Sequence, residues 1–231
     1  MGKYNVVFFD LDHTLWDYDR NSVETLSDLY NNYNIQEIGG ISLETFLKQF
    51  VKVNDSLWDM YNKGQISRET IRLERFERIL HSMHIDIGNK TLEMSEDYIR
   101  PCPLKPHVIP HTFEVLDYLK PNYELYILTN GFDDVQEIKL DKSNLRSYFK
   151  GMITSESAGH KKPSKEMFEH ALEISGANAD ETIMIGDNLK TDISGALNAN
   201  IDAVFYNPHS KEHNHSPHYE ITSLKELTII L

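Results

Sequence analysis

The chain has 231 residues, 40% hydrophobic and 26% charged, which fits one large domain or a core carrying a smaller inserted one. Its 36 acidic residues against 23 basic ones give a net charge of −13, which argues against nucleic-acid or anionic-membrane binding and obliges any anionic ligand to find a local cation. The lone Cys102 excludes an intramolecular disulfide framework, and no apolar run reaches membrane-spanning length. No leader pattern opens the chain, and after Met1-Gly2 the position where a myristoylation start needs Ser or Thr holds Val6, so a cytoplasmic location is expected.

In chain order, the first element is the apolar run Asn5–Phe9, rich in β-branched and aromatic residues and read as a strand buried on both faces. Further strands are expected at Glu124–Leu128, Met152–Thr154, Thr182–Ile185 and Ala203–Tyr206. Helical patterns lie between them at 111–120, 132–142, 164–175 and 190–199, and Ser223–Leu231 reads as a closing helix capped by Ser223. Alternation of strand and helix predicts a Rossmann-like, doubly wound parallel sheet with helices on both faces.

Residues 18–98 break the alternation, because helical patterns there follow one another. One starts at the candidate N-cap Ser42 and ends at Gly64; another starts at Ser67 and carries Ile71, Phe76, Ile79, Leu80 and Met83 on a partial stripe. The block closes at a proline-rich "RPCPLKP". The expected organisation is an α/β core of 1–16 and 100–231, with an all-helical cap domain of 17–99 inserted after the first strand and hinges at Trp16–Asp19 and Arg100–Pro106.

Ligands of open α/β sheets gather beyond the carboxyl ends of the strands. Strand one is followed there by Asp10, Asp12 and Thr14, and strand two by Thr129, Asn130 and Gly131. Lys162 lies beyond strand three, and Asp187 and Asp192 follow strand four. Each residue alone has a plainer explanation as a cap, a turn residue or a solvated charge. An EF-hand reading of the first acids fails, because Leu15 stands at the turn glycine and Asn21 at the final Glu.

Taken in order, "DLDHT", "LTNG", "KKP" and "GDNLKTD" resemble the four motifs of the haloacid dehalogenase superfamily of phosphohydrolases, a likeness that covers nearly the whole chain. Asp12 is the residue that the family's phosphatases and phosphomutases carry where its carbon–halogen-cleaving members do not. The resemblance implies that Asp10 is the nucleophile and Asp12 the general acid and base. It implies Mg²⁺ as cofactor, held by Asp10, the Asp12 main-chain carbonyl and Asp187, with Asp192 holding a metal-bound water or Lys162. Thr129, the Asn130 main-chain N–H and the Gly131 turn would meet the phosphoryl oxygens, and Lys162 would supply the fixed cation.

The core motifs name no substrate. The segment from Asn54 to Leu80, and "ILTNGFDDVQEIKL", look like the matching segments of bacterial pyrimidine nucleoside 5′-monophosphate phosphatases. That implies a small phosphate ester, a nucleoside monophosphate, as partner, with Trp58, Tyr61 and Phe76 as a stacking face and Arg72, Arg75 or Asn54 as polar contacts; aromatics at helical spacing also fit a plain helical core. His13 gets at most an orienting role, and His209, His213, His215 and His218 read as a polar loop without a metal-ligand spacing. The rivals are a sugar-phosphate phosphatase or phosphomutase on the same core, and a phospho-accepting regulator. Receiver-type regulators lack both the helical insertion and an acid two residues beyond the nucleophile. The sequence leaves the oligomeric state open.

Overall fold

Val6–Phe9 (β1) is continuously buried, as a central strand of a parallel sheet requires. The computed structural model describes residues 3–231; Met1-Gly2, weighed above as a myristoylation start, lies outside the described residues. After β1 come five helices: Tyr18–Asn32 (α1), Ile35–Gly39 (α2), Leu43–Asn62 (α3), Arg68–Ser82 (α4) and Thr91–Ile99 (α5). Then follow Thr112–Leu119 (α6), Glu124–Thr129 (β2), Asp133–Lys142 (α7), Gly151–Thr154 (β3), Ser155–Ala158 (α8) and Lys165–Ser175 (α9). Thr182–Gly186 (β4), Ser194–Asn198 (α10), Asp202–Tyr206 (β5), Tyr219–Ile221 (β6) and Leu227–Ile230 (α11) complete the chain.

The six strands form one sheet in the order β3-β2-β1-β4-β5-β6, and every pairing is parallel. Both faces are covered. Val6, Phe8, Leu128, Met184 and Ala203 pack with Met167, Phe168 and Ala171 of α9 and with Ala196 of α10, while the alternate residues Val7, Phe9, Ile127, Ile185 and Val204 are fully buried too. In register, Phe9 lies between Ile127 and Ile185, so the residues leaving β1, β2 and β4 emerge side by side. The strand order turns at β1, which makes this edge the switch point where ligands of such sheets collect.

The chain divides into two compact units, one of residues up to Tyr18 with Pro106–Leu231 and the other Asp19–Lys105. The second is helical, with its own aromatic cluster. Phe50, Phe76 and Tyr98 lie with ring centroids 5.2–6.0 Å apart, and the Arg75 guanidinium sits 5.2 Å from the Tyr98 ring and 5.9 Å from that of Phe50. Ser42 and Ser67 cap α3 and α4 by accepting from Thr45 N and Thr70 N, and Gly64 takes a left-handed φ of 71° just past α3. Among the described residues, no helix is long and apolar enough to cross a membrane.

Four elements differ from expectation, the first being α8, a short helix directly after β3 where none is predicted. β6 falls where a polar loop is predicted, because only Ile221 of its three residues is buried and no alternation is visible in the sequence. The helix expected over 190–199 opens as a π-helical turn, Leu189–Ile193, before α10. The closing helix splits into a 3₁₀ turn, Leu224–Glu226, and α11; Ser223 caps the turn, and Glu226 returns its side chain to the Ser223 N–H.

Candidate active site at the carboxyl end of the sheet

β1 ends at Phe9, and the chain turns just beyond Asp12, which forms a β-bridge with Trp16. Leu15 N and Trp16 N both donate to the Leu11 carbonyl, and His13 adopts a left-handed φ of 63° with its ring centroid 4.8 Å from that of Tyr18. The two carboxylates have different partners. Asp10 meets Lys162, whereas Asp12 meets Lys139 and Gln136 of α7.

Around Asp10, the buried Lys162 Nζ donates to Asp10 Oδ1 at 2.6 Å and to the Leu128 carbonyl at 2.7 Å, and lies 2.7 Å from Asp192 Oδ1. An ammonium has three protons, so all three are used inside the protein. Asn130 fixes the lysine from behind: its amide donates to the Lys162 carbonyl at 2.9 Å and accepts the Lys162 N–H at 2.8 Å. The Asn130 side chain thus holds the main chain beside the site, a role the sequence does not announce. Thr14 Oγ1 donates to Asp187 Oδ1 at 3.3 Å.

Asp192 accepts the Asn188 N–H at Oδ2 and the Thr191 hydroxyl at Oδ1. Gly186 makes this possible, because a Cβ there would collide with the Asp192 side chain. The π-helical turn, capped by Asn188, carries Asp192 back to Lys162.

Oxygens of Asp10, Asp187 and Asp192 lie within 4.8 Å of one another. Three carboxylates against one ammonium leave two negative charges in a nearly dry place. Burial pushes the Asp10 carboxyl up to about 8, with Lys162 opposing and Asp192 and Asp187 adding to the rise. Burial likewise pushes Asp187 up to about 7, with Asp192 adding and Lys162 opposing. Burial also works against the charge on Lys162, but Asp10 and Asp192 outweigh it and hold the ammonium above its usual range. An all-oxygen donor set short of two positive charges fits a hard dication such as Mg²⁺.

Around Asp12 the balance is complete. Lys139 Nζ donates to its two oxygens at 2.6 and 2.9 Å, and Gln136 Nε2 donates to Oδ2 at 2.9 Å. Burial works upward on Asp12, but Lys139 and Gln136 outweigh it and hold the carboxyl below its usual range. The two acids therefore occupy different environments, as the expected division into nucleophile and acid would require. Without a dication, though, their order is the reverse of that division of labour, because Asp10 lies among like charges and Asp12 against a cation.

Gln136 Nε2 also donates to Thr129 Oγ1 at 2.8 Å, and Gly131 N donates to the same oxygen at 3.0 Å. With both lone pairs taken, the Thr129 hydroxyl keeps its proton as a donor. Gly131 is required at the turn because a Cβ there would collide with the Gln136 amide.

The sequence does not mark Gln136 and Lys139: they sit three apart on α7 beside Leu140 on its buried face, while the apolar Ile138 of the same helix is exposed. The predicted residues of the helical unit are placed by themselves. Trp58 is half-buried and Tyr61 buried, their rings edge-to-face at 5.5 Å. Phe76 and Arg75 belong to the aromatic cluster, and Asn54 is buried. In the late loop, His213 Nε2 lies 3.2 Å from Glu220, and His218 reaches Asp202 at 3.0 Å while accepting the Ala203 N–H.

The profile of the haloacid dehalogenase-like hydrolases matches residues 7–206. The chain belongs to this family. It is 30% identical to the pyrimidine 5′-nucleotidase YjjG of Escherichia coli over 99% of its length and 98% of the relative's. It is 32% identical to the pyrimidine 5′-nucleotidase PynA of Streptococcus pneumoniae, over 97% and 93% of the two chains. Among solved structures it is similar to the putative HAD-hydrolase YfnB of Bacillus subtilis, whose magnesium-bound crystal form reveals interdomain movement: TM-score 0.89, 30% identity, 99% of each chain covered.

Proposed function

We propose that this family member is a magnesium-dependent phosphomonoester hydrolase that works through a phosphoaspartate on Asp10, with pyrimidine nucleoside 5′-monophosphates as substrates and the cytoplasm as its place of work. The observation that carries the reading is the charge deficit around Asp10: three clustered carboxylates, of which Asp10 and Asp192 share one lysine. The full-length likeness to two pyrimidine 5′-nucleotidases supports the substrate class.

Asp10, Asp187 and the Asp12 main-chain carbonyl would hold Mg²⁺, which supplies the positive charge that keeps Asp10 ionised and offsets that of the phosphoryl oxygens. An Asp10 carboxylate oxygen attacks phosphorus, the bond from phosphorus to the ester oxygen breaks, and Asp12 gives that oxygen a proton. A water oxygen then attacks the phosphorus, the bond to Asp10 breaks, and Asp12 takes the water's proton. Thr129 Oγ–H and the Asn130 N–H donate to the phosphoryl oxygens throughout. Lys162, its protons already engaged, acts through its charge.

The helical unit is the proposed cap, with Trp58 and Tyr61 of α3 selecting the base. The test is phosphate release from a panel of nucleoside monophosphates, sugar phosphates and p-nitrophenyl phosphate, with and without Mg²⁺. Preference for pyrimidine monophosphates that weakens in Trp58→Ala supports the whole reading. Preference for sugar phosphates removes the nucleotide assignment and keeps the hydrolase, and no metal-dependent release from any ester removes both.

A further inference from the structure

We propose that Lys139 and Gln136 are positioning residues that act through Asp12: together they hold its carboxylate at the angle from which it serves the leaving group, and Gln136 locks the Thr129 hydroxyl as a phosphate donor. This rests on the hydrolase reading above and extends it to a helix outside the four motifs.

The geometry is over-determined for an incidental surface pair. Lys139 is 5% and Gln136 0% exposed, three residues apart on one face of α7. The ammonium contacts both oxygens of Asp12, and its Nζ also lies 4.4 Å from the centroid of the fully buried Trp16 ring. A carboxylate gripped at both oxygens by a cation that is itself walled by a ring has one orientation.

Gln136 adds a link between two chemical groups. Its Nε2 has two protons, and they go to Asp12 Oδ2 and Thr129 Oγ1. Its Oε1 is buried without a hydrogen-bond partner. A buried acceptor left bare is costly and uncommon. Turning the amide over would satisfy nothing, because it would set Oε1 against the Asp12 carboxylate. The bare oxygen is thus the consequence of using both amide protons for the link. Gly131 completes it, since any side chain at that position would occupy the space of the Gln136 amide.

Ester leaving groups separate this role from a merely structural one. An alkoxide leaves poorly without a proton, whereas p-nitrophenolate leaves without one. The ratio kcat/KM reports only the steps up to departure of the leaving group, so it isolates this contribution. Lys139→Met and Gln136→Met, in the full chain with Mg²⁺, are expected to lower kcat/KM on the best alkyl phosphate of the panel by about 30-fold or more. On p-nitrophenyl phosphate the loss should stay under about threefold for Lys139→Met, and somewhat larger for Gln136→Met, which also frees the Thr129 hydroxyl. Thermal melts accompany both, and if Lys139→Met fails to fold, Gln136→Met carries the same comparison. Equal losses on the two esters, or no loss on either, in the presence of an active wild type would overturn the positioning role and leave the hydrolase reading standing. A wild type inactive on every ester would overturn the hydrolase reading, and this proposal with it.

Discussion

The two flanks of the β1 carboxyl end are built alike and balanced differently. On one side, buried Lys162 faces Asp10, Asp192 and the nearby Asp187; on the other, buried Lys139 faces Asp12 alone. Three carboxylates to one ammonium leave the first flank two positive charges short, while the second is neutral. The difference appears in the acids themselves: Asp10 is pushed up to about 8 and Asp12 is held below its usual range. A pair of aspartates two residues apart is therefore no symmetric dyad. One lies in a cluster of like charges that a dication would balance, and the other is already paired with a cation.

The sharpest way to break this comparison is Asp10→Asn. The change keeps shape and removes the proposed nucleophile, so phosphate release should fall below detection while the melting temperature stays within a few degrees or rises, one like charge having gone. Retained metal-dependent turnover would end the assignment of the first flank. Next comes Lys162→Met. It leaves the buried Asp10 and Asp192 without their cation, beside the half-buried Asp187, a loss of about 3–5 kcal/mol that lowers Tm by about 10 °C and abolishes activity. A melt unchanged from wild type would mean the pairing carries no stability.

Added Mg²⁺ sharpens the contrast between the flanks through pH. Burial and the neighbouring acids push Asp10 up to about 8 and Asp187 up to about 7, so the metal-free folded chain binds more protons than the unfolded one and loses stability as pH rises from the unfolded carboxylate range to those values. A dication competes with those protons. Millimolar Mg²⁺ should raise Tm by about 5 °C near pH 8 and by less than half of that near pH 5.5, read by differential scanning fluorimetry. Asp12 has the opposite sign: its pairing stabilises above the unfolded carboxylate pKa and is lost as pH falls through its lowered folded value. An equal metal effect at both pH values would contradict the charge deficit. The smallest expected change is Gly131→Ala, which displaces the Gln136 amide for about 1–2 kcal/mol, with Asp192 and Lys162 undisturbed.

The flanks also differ in how far the sequence shows them. Asp10, Asp187, Asp192 and Lys162 follow strands, and the strands are continuous apolar runs, so their convergence can be read from order alone. The family's motifs carry the same residues. The second flank lies on α7, where helix-internal Gln136 and Lys139 look like solvated polar residues until the fold turns them inward. The turn after Asp12 is equally hidden, because it depends on Leu15 and Trp16 returning their N–H groups to Leu11. β6 is missed for a simpler reason: three residues with one buried side chain give no period to detect.

Asp10 as the carrier of the phosphoryl group and Asp12 as the mover of protons can both be read in one experiment. Asp12→Ala is mixed with ³²P-labelled p-nitrophenyl phosphate and Mg²⁺, quenched in acid within milliseconds, and mapped by peptide. The leaving group needs no proton, but hydrolysis of the phosphoaspartate now lacks its base. Label accumulating on the peptide that holds Asp10, and absent from Asp10→Asn, is the predicted result; label on another residue, or none in Asp12→Ala while p-nitrophenolate is released, would contradict the account.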